Sequence, residues 1–170
     1  MDSRQRGLAL LIAGLLVWGA AIAEPSPLAD PQLVLTPLGG ARTAIEARQL
    51  QGKVVYVDFW ASWCVPCRAS FPWLEELHRK HQARGLVILG INKDQEPGGA
   101  DKFLARYPVS FPLLQDPGDK LAKGFAVRGM PSAYLIDRRG NIRHTHVGFR
   151  QESTAELERM LVELLKENAT

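Results

Sequence analysis

Cysteine is scarce: the 170-residue chain holds two, Cys64 and Cys67, and no second pair. A structural zinc centre needs two further ligands at matching spacing, which are missing. A c-type haem attachment needs histidine directly after the second cysteine, and Arg68 stands there. An excess of one charge is lacking too. Lysine and arginine number 21 against 18 acidic residues, a formal net charge of +3, and the excess is scattered. Without a clustered basic face, nucleic acid is not an expected partner. There are no internal repeats or low-complexity segments. The composition, 46% hydrophobic and 23% charged, is ordinary for one globular α/β domain able to bury a core.

Long apolar runs are absent after the first 23 residues. Before that point, Arg4 and Arg6 precede an uninterrupted apolar stretch from Leu8 to Ala23, and Ala21-Ile22-Ala23 forms a small–x–small pattern. Sixteen positions are marginal for a spanning helix, which needs about 20. Residues 1–23 therefore read as a cleaved signal peptide or a short N-terminal membrane anchor. Either reading places the cysteines outside the cytoplasm, in the periplasm or another extracytoplasmic space. Residues 24–32 carry three prolines and read as an extended linker, with the domain itself over 33–170.

Within the domain, Leu33–Thr36 suggests a strand, Thr43–Ile45 its hairpin partner and Ala47–Leu50 a helical turn. Val54–Trp60 is a near-continuous β-rich run, as expected of a central strand covered on both faces. A helix is expected from about Cys64 to Ala83, with Phe71, Leu74 and Leu77 inward and Pro72 kinking it. Leu86–Ile91 then makes a parallel β–α–β unit with a right-handed crossover. A helix over Gly98–Tyr107, a strand at Phe111–Gln115, a short helix at Asp119–Phe125 and a hairpin across Ala133–Val147 follow. Ser153-Thr-Ala-Glu156 reads as a capping box opening the last helix.

The cysteine pair lies where the central strand hands over to a helix. A thiolate at Cys64 would face unsatisfied N–H groups and the positive end of the helix dipole, lowering its pKa. Cys67, one turn on and deeper, is placed to attack a mixed disulfide from behind. A bridge across so short a loop removes little chain entropy, so chemistry explains the pair better than stability does. Val65 and Pro66 add no charge or hydroxyl, which favours a reducing couple over a strongly oxidising one. Such exchange needs no cofactor.

The segment Phe59-Trp-Ala-Ser-Trp-Cys-Val-Pro-Cys-Arg68 resembles the active site of thioredoxin-like proteins, and in particular the exported TlpA/ResA branch. The resemblance extends to Gly90-Ile-Asn-Lys-Asp94, Phe111-Pro-Leu-Leu-Gln-Asp116 and Val127-Arg-Gly-Met-Pro-Ser132. It implies an α/β thioredoxin-like fold: a central mixed sheet flanked by helices, with an N-terminal β-hairpin extension and a helix–strand insertion over about 98–116. It further implies that Cys64 attacks and Cys67 resolves. Pro131 matches the family's cis-proline, whose loop presents the Met130 backbone to an extended substrate segment, with Trp63 and Pro66 beside it. Asp58 matches the buried acid that serves the second cysteine, although Gly90 falls near the place of that acid's usual lysine partner. Protein disulfides are the implied substrates, including apocytochrome c or copper-site cysteines, with a membrane-bound reductase as electron donor. Two alternatives remain open from the residues: a disulfide-forming oxidase of the same fold, and a copper-binding metallochaperone using Met130. His144 and His146, two apart on a strand, read as a solvated face.

Overall fold

The computed structural model describes residues 24–39, 44–96 and 98–168. The expected export segment and Thr43 lie outside the described residues. Among the described residues eight strands form one sheet in the order β1-β8-β7-β4-β5-β6-β2-β3. They are β1 (Glu24–Pro25), β2 (Val34–Pro37), β3 (Ile45–Glu46), β4 (Val54–Trp60), β5 (Leu86–Asn92), β6 (Leu113–Gln115), β7 (Ser132–Ile136) and β8 (Asn141–Val147). Four helices join them: α1 (Cys67–His81), α2 (Gly99–Arg106), α3 (Lys120–Gly124) and α4 (Thr154–Lys166).

Every residue of β4 is buried, because this strand runs at the centre with apolar layers on both faces. It pairs in parallel with β5, Asp58 opposite Gly90, and antiparallel with β7, Asp58 opposite Ala133. Alternation divides its side chains. Val54, Tyr56 and Trp60 join a core with Phe71 and Leu74 of α1, Phe103 of α2 and Leu161 of α4. Val55, Val57 and Phe59 join the opposite core with Leu28, Leu50, Leu121 and Phe125. The expected insertion is present as α2 and β6, and β6 extends the parallel ladder beyond β5.

Three local expectations change. Residues 24–32 do not form a free linker: Glu24 and Pro25 pair antiparallel with Ile142 and Asn141, and Leu28, in the short 3-10 turn Pro27–Ala29, is buried. Proline-rich composition reports extended backbone but cannot tell a tether from an edge strand. Ser153 makes no capping bond, because a 3-10 turn at Gln151–Ser153 already gives it helical backbone angles (φ −84°, ψ −11°). A side chain caps from an extended backbone instead. Thr154 Oγ1 donates to the Gln151 carbonyl at 2.7 Å. A capping box does form elsewhere, between Glu46 and Gln49. Finally, α1 begins at Cys67 rather than Cys64, with Pro72 inside its first turns.

Candidate active site

β4 ends at Trp60, and the chain turns at once: the Cys64 N–H donates to the Ala61 carbonyl at 3.0 Å. The Pro66 carbonyl accepts the first helical bond, from the Ser70 N–H at 3.1 Å. Proline suits this place because it has no N–H to leave unpaired. Cys64 therefore sits in the turn just before α1, and Cys67 is the first residue of the helix. The two are joined as a disulfide with a Cα–Cα separation of 5.4 Å. The Cys67 N–H points at Cys64 Sγ, 3.3 Å away, so a helix-terminal donor does reach the outer sulfur. Cys67 is fully enclosed and Cys64 is 3% exposed.

The surroundings divide sharply. Trp60 is entirely buried, edge-on to Phe71 with ring centroids 4.8 Å apart. Trp63 and Val65 are 63% and 65% exposed, and Pro66 is exposed beside them. The Met130–Pro131 peptide is cis. Because β7 runs antiparallel to β4, with Ser132 opposite Phe59, this loop lies at the same end of the sheet as the cysteines. The Pro131 carbonyl accepts from the Gly148 N–H at 2.8 Å, and the half-buried Met130 packs between the two cores.

Asp58 is 2% exposed, on the β4 face that carries Tyr56, Trp60 and the Cys67 core, and its Oδ2 has no partner among the described residues. Burial pushes its carboxyl pKa well above the ordinary 3.8, since the charged form loses its hydration. Tyr56 is pushed up as well, first by burial and then by the nearby Asp58 charge. The missing lysine has a steric explanation. A Cβ at Gly90 would stand 2.8 Å from Leu113 Cδ2 and 3.2 Å from Phe111 Cε2. Side chains around the inserted strand β6 occupy the space a longer residue would need.

One cluster escaped the sequence reading. Asp94 Oδ1 accepts from both the N–H (2.8 Å) and the hydroxyl (3.1 Å) of Ser62, two residues before Cys64. Asn92 Nδ2 donates to Asp94 Oδ2 at 3.2 Å. These residues are 32 and 30 positions from Ser62, so local spacing gave no sign of it. A cavity of about 550 Å³ lined by Asn92, Lys93, Asp94, Asp116 and Asp119 opens alongside. His144 and His146 are half-buried rather than solvated, their rings stacked 6.5 Å apart on the face towards α4. A bulge between Ile142 and His144 turns them to that side. Among the described residues no group of three or more His, Cys, Asp or Glu side chains is arranged to hold a metal ion.

The Redoxin family model matches residues 26–161. The chain belongs to the Redoxin family. Within it, the thiol-disulfide oxidoreductase ResA of Bacillus cereus (strain ZK / E33L) is 32% identical over 118 residues, spanning 69% of this chain and 67% of that one. A crystal structure described as thiol:disulfide interchange protein DsbE from Chlorobium tepidum superposes with a TM-score of 0.75. It is 37% identical and covers 84% of this chain and 96% of that one. The exposed lipoprotein thioredoxin Etrx1 of Streptococcus pneumoniae strain TIGR4 matches with a TM-score of 0.62 and 29% identity, over 77% and 98% of the two chains. The fold is thioredoxin-like. This Redoxin-family chain is a thiol–disulfide oxidoreductase, an enzyme in which Cys64 and Cys67 are joined as a disulfide.

Proposed function

We propose that this oxidoreductase works in the reducing direction, on disulfides of proteins outside the cytoplasm. In the reduced enzyme the Cys64 thiolate attacks a substrate disulfide, forming a mixed disulfide and releasing one substrate thiolate. Cys67 then loses its proton and attacks Cys64 Sγ, which frees the second substrate thiol and leaves the enzyme oxidised. Asp58 is the buried acid on the Cys67 side. In its ionised form burial makes it a stronger base for the Cys67 proton. A membrane-bound reductase returns two electrons and two protons. Trp63, Pro66 and the Met130–Pro131 loop form the docking surface for an extended substrate segment.

The observation that carries the direction is how little stabilises the outer sulfur. Val65 and Pro66 bring no charge, and among the described residues the donor that reaches Cys64 Sγ is the Cys67 N–H at 3.3 Å. A weakly stabilised thiolate leaves the disulfide comparatively stable, which is the reducing case. The exported location rests on Arg4, Arg6 and the apolar run to Ala23. Among the described residues no helix is long and apolar enough to cross a membrane.

Equilibration with glutathione redox buffers tests the direction. A potential near thioredoxin's roughly −270 mV supports it, and one near DsbA's roughly −120 mV makes the protein an oxidase. A Cys67→Ser variant expressed with its leader should stall as a mixed disulfide whose partner, identified by mass spectrometry, is the substrate. Mature protein beginning at Glu24 would establish cleavage of the leader.

A further inference from the structure

We infer that Asp94 is the positioning residue of the redox turn, acting on Cys64 through Ser62. Ser62 is the second residue of the Ala61–Cys64 turn, and both of its donors are spent on one oxygen, Asp94 Oδ1. The carboxylate is itself immobilised. Its Oδ2 takes the Asn92 amide at 3.2 Å, and the Asp94 N–H donates back to Asn92 Oδ1 at 3.1 Å. Asn92 is buried at the end of β5, directly opposite Trp60, so the anchor belongs to the rigid centre of the sheet. The inserted helix α2 closes the arrangement from the third side. A Cβ at Gly99 would lie 2.6 Å from Ser62 Oγ and 3.3 Å from Asp94 Oδ2, so only glycine lets the helix start this close.

The consequence runs through the turn. With Ser62 fixed, Cys64 Sγ is held where the Cys67 N–H reaches it, and Trp63 is held outward. With Ser62 released, the turn pivots between Ala61 and α1, and that donor no longer has a fixed target. The helix-terminal stabilisation of the thiolate is then partly lost. The insertion over α2 and β6 is thereby coupled to the cysteines through one carboxylate.

This inference rests on Cys64 being the attacking thiol. That is checked first, by mapping which cysteine of the reduced wild-type protein iodoacetamide labels faster. Preferential labelling of Cys67 would overturn the assignment of Cys64 itself, whatever Asp94 does. The inference proper is read from the pH profile of Cys64 alkylation in reduced, full-length variants whose folding is checked by circular dichroism. Asp94→Ala should move the profile to higher pH, with the thiolate fraction at pH 6 falling about five- to tenfold. Asp94→Asn keeps an acceptor for Ser62, but its amide meets the Asn92 amide, so it should move the profile upward by less. Ser62→Ala, which loses only the hydroxyl bond, should give a small upward move. Arg68 and Asp58 are unchanged in every variant. A downward move of equal size in Asp94→Ala and Asp94→Asn would mean that only the Asp94 charge acts on the sulfur, and would overturn the inference. So would profiles that coincide with wild type. Should Asp94→Ala fail to fold, the ordering of Ser62→Ala and Asp94→Asn relative to wild type decides in the same way.

Discussion

At the amino end of β4 a single arginine ties four stretches of chain together, while at the carboxyl end polar groups lack partners and apolar ones face water. The Arg138 guanidinium donates to the carbonyls of Gly52 (2.6 Å), Arg84 (3.2 Å), Leu165 (3.0 Å) and Glu167 (3.0 Å). It thus closes the last turn of α4 against the loops before β4 and β5. Beside it Asp137 accepts from the Arg139 and Asn141 N–H groups, both at 2.9 Å, and pairs with Arg143. Burial alone would raise the Asp137 pKa, but those backbone donors and Arg143 outweigh it, and the carboxyl is held below its ordinary value. Further along β4, Asp58 has no such donors among the described residues and moves the opposite way. Two buried aspartates on one sheet differ because one is surrounded by N–H groups and the other by side chains of the apolar core. The lesson is a division of labour: one end supplies stability, and the other keeps its polar groups uncompensated beside the cysteine pair.

The largest effect expected from this contrast is at the satisfied end. Arg138→Ala strands four carbonyls, partly open to water, and should cost about 3 kcal/mol in urea unfolding of the oxidised protein while leaving its redox potential unchanged. A loss below about 1 kcal/mol would break the comparison.

Next comes Asp58. Its folded-state pKa is raised, so the native state holds a proton that the unfolded chain has given up above about pH 4. Wild-type stability should therefore fall as pH rises from there, by up to about 1.4 kcal/mol per pH unit until the folded group ionises. Asp58→Asn should lack that slope and gain relative stability towards pH 8. It should also slow resolution of the mixed disulfide while sparing the initial attack. Urea titrations at several pH values read the first effect and stopped-flow traces the second; parallel stability profiles, or equal slowing of both steps, would count against it.

Asp137 should behave with the opposite sign. Its depressed pKa contributes stability that is present above the ordinary value near 3.8 and is lost as pH falls through the folded value. Asp137→Asn should cost about 1 kcal/mol at neutral pH, with the gap closing in acid. A gap that is constant down to pH 2 would refute this. The smallest effect on stability is expected from Trp63→Ala, within about 0.5 kcal/mol of wild type because the ring is exposed. Its signature should be a severalfold rise in KM for protein disulfides, with little change for a small disulfide such as oxidised glutathione.

Much of the fold was legible along the chain. Val54–Trp60 announced a central strand by being apolar throughout, and α1 showed its buried stripe in Phe71, Leu74 and Leu77. The short helix at Ala47–Leu50 and the β7–β8 hairpin also stand where spacing and turn residues put them. Local signals failed where a competitor lay elsewhere in the chain. Ser153 lost its capping role to the turn before it, Glu24 and Pro25 found an edge of β8 to pair with, and the histidine pair was turned inwards by a bulge.

By itself, the sequence determined most of the elements and the closeness of the two cysteines, because hydrophobic period, glycine and proline placement, and a two-residue spacing between thiols are all properties of neighbouring residues. Only the tertiary structure decided what each charged group experiences. Asp58 and Asp137 are the same residue type, and their pKa values part because one packs into the core behind α1 and the other meets backbone donors at a hairpin turn. Asp94 reaches Ser62 across 32 positions, and Arg138 reaches Gly52 across 86. Solvation and hydrogen bonding depend on what surrounds a group in space, and for these groups the decisive neighbours are set only when β4, β5 and the helices pack together.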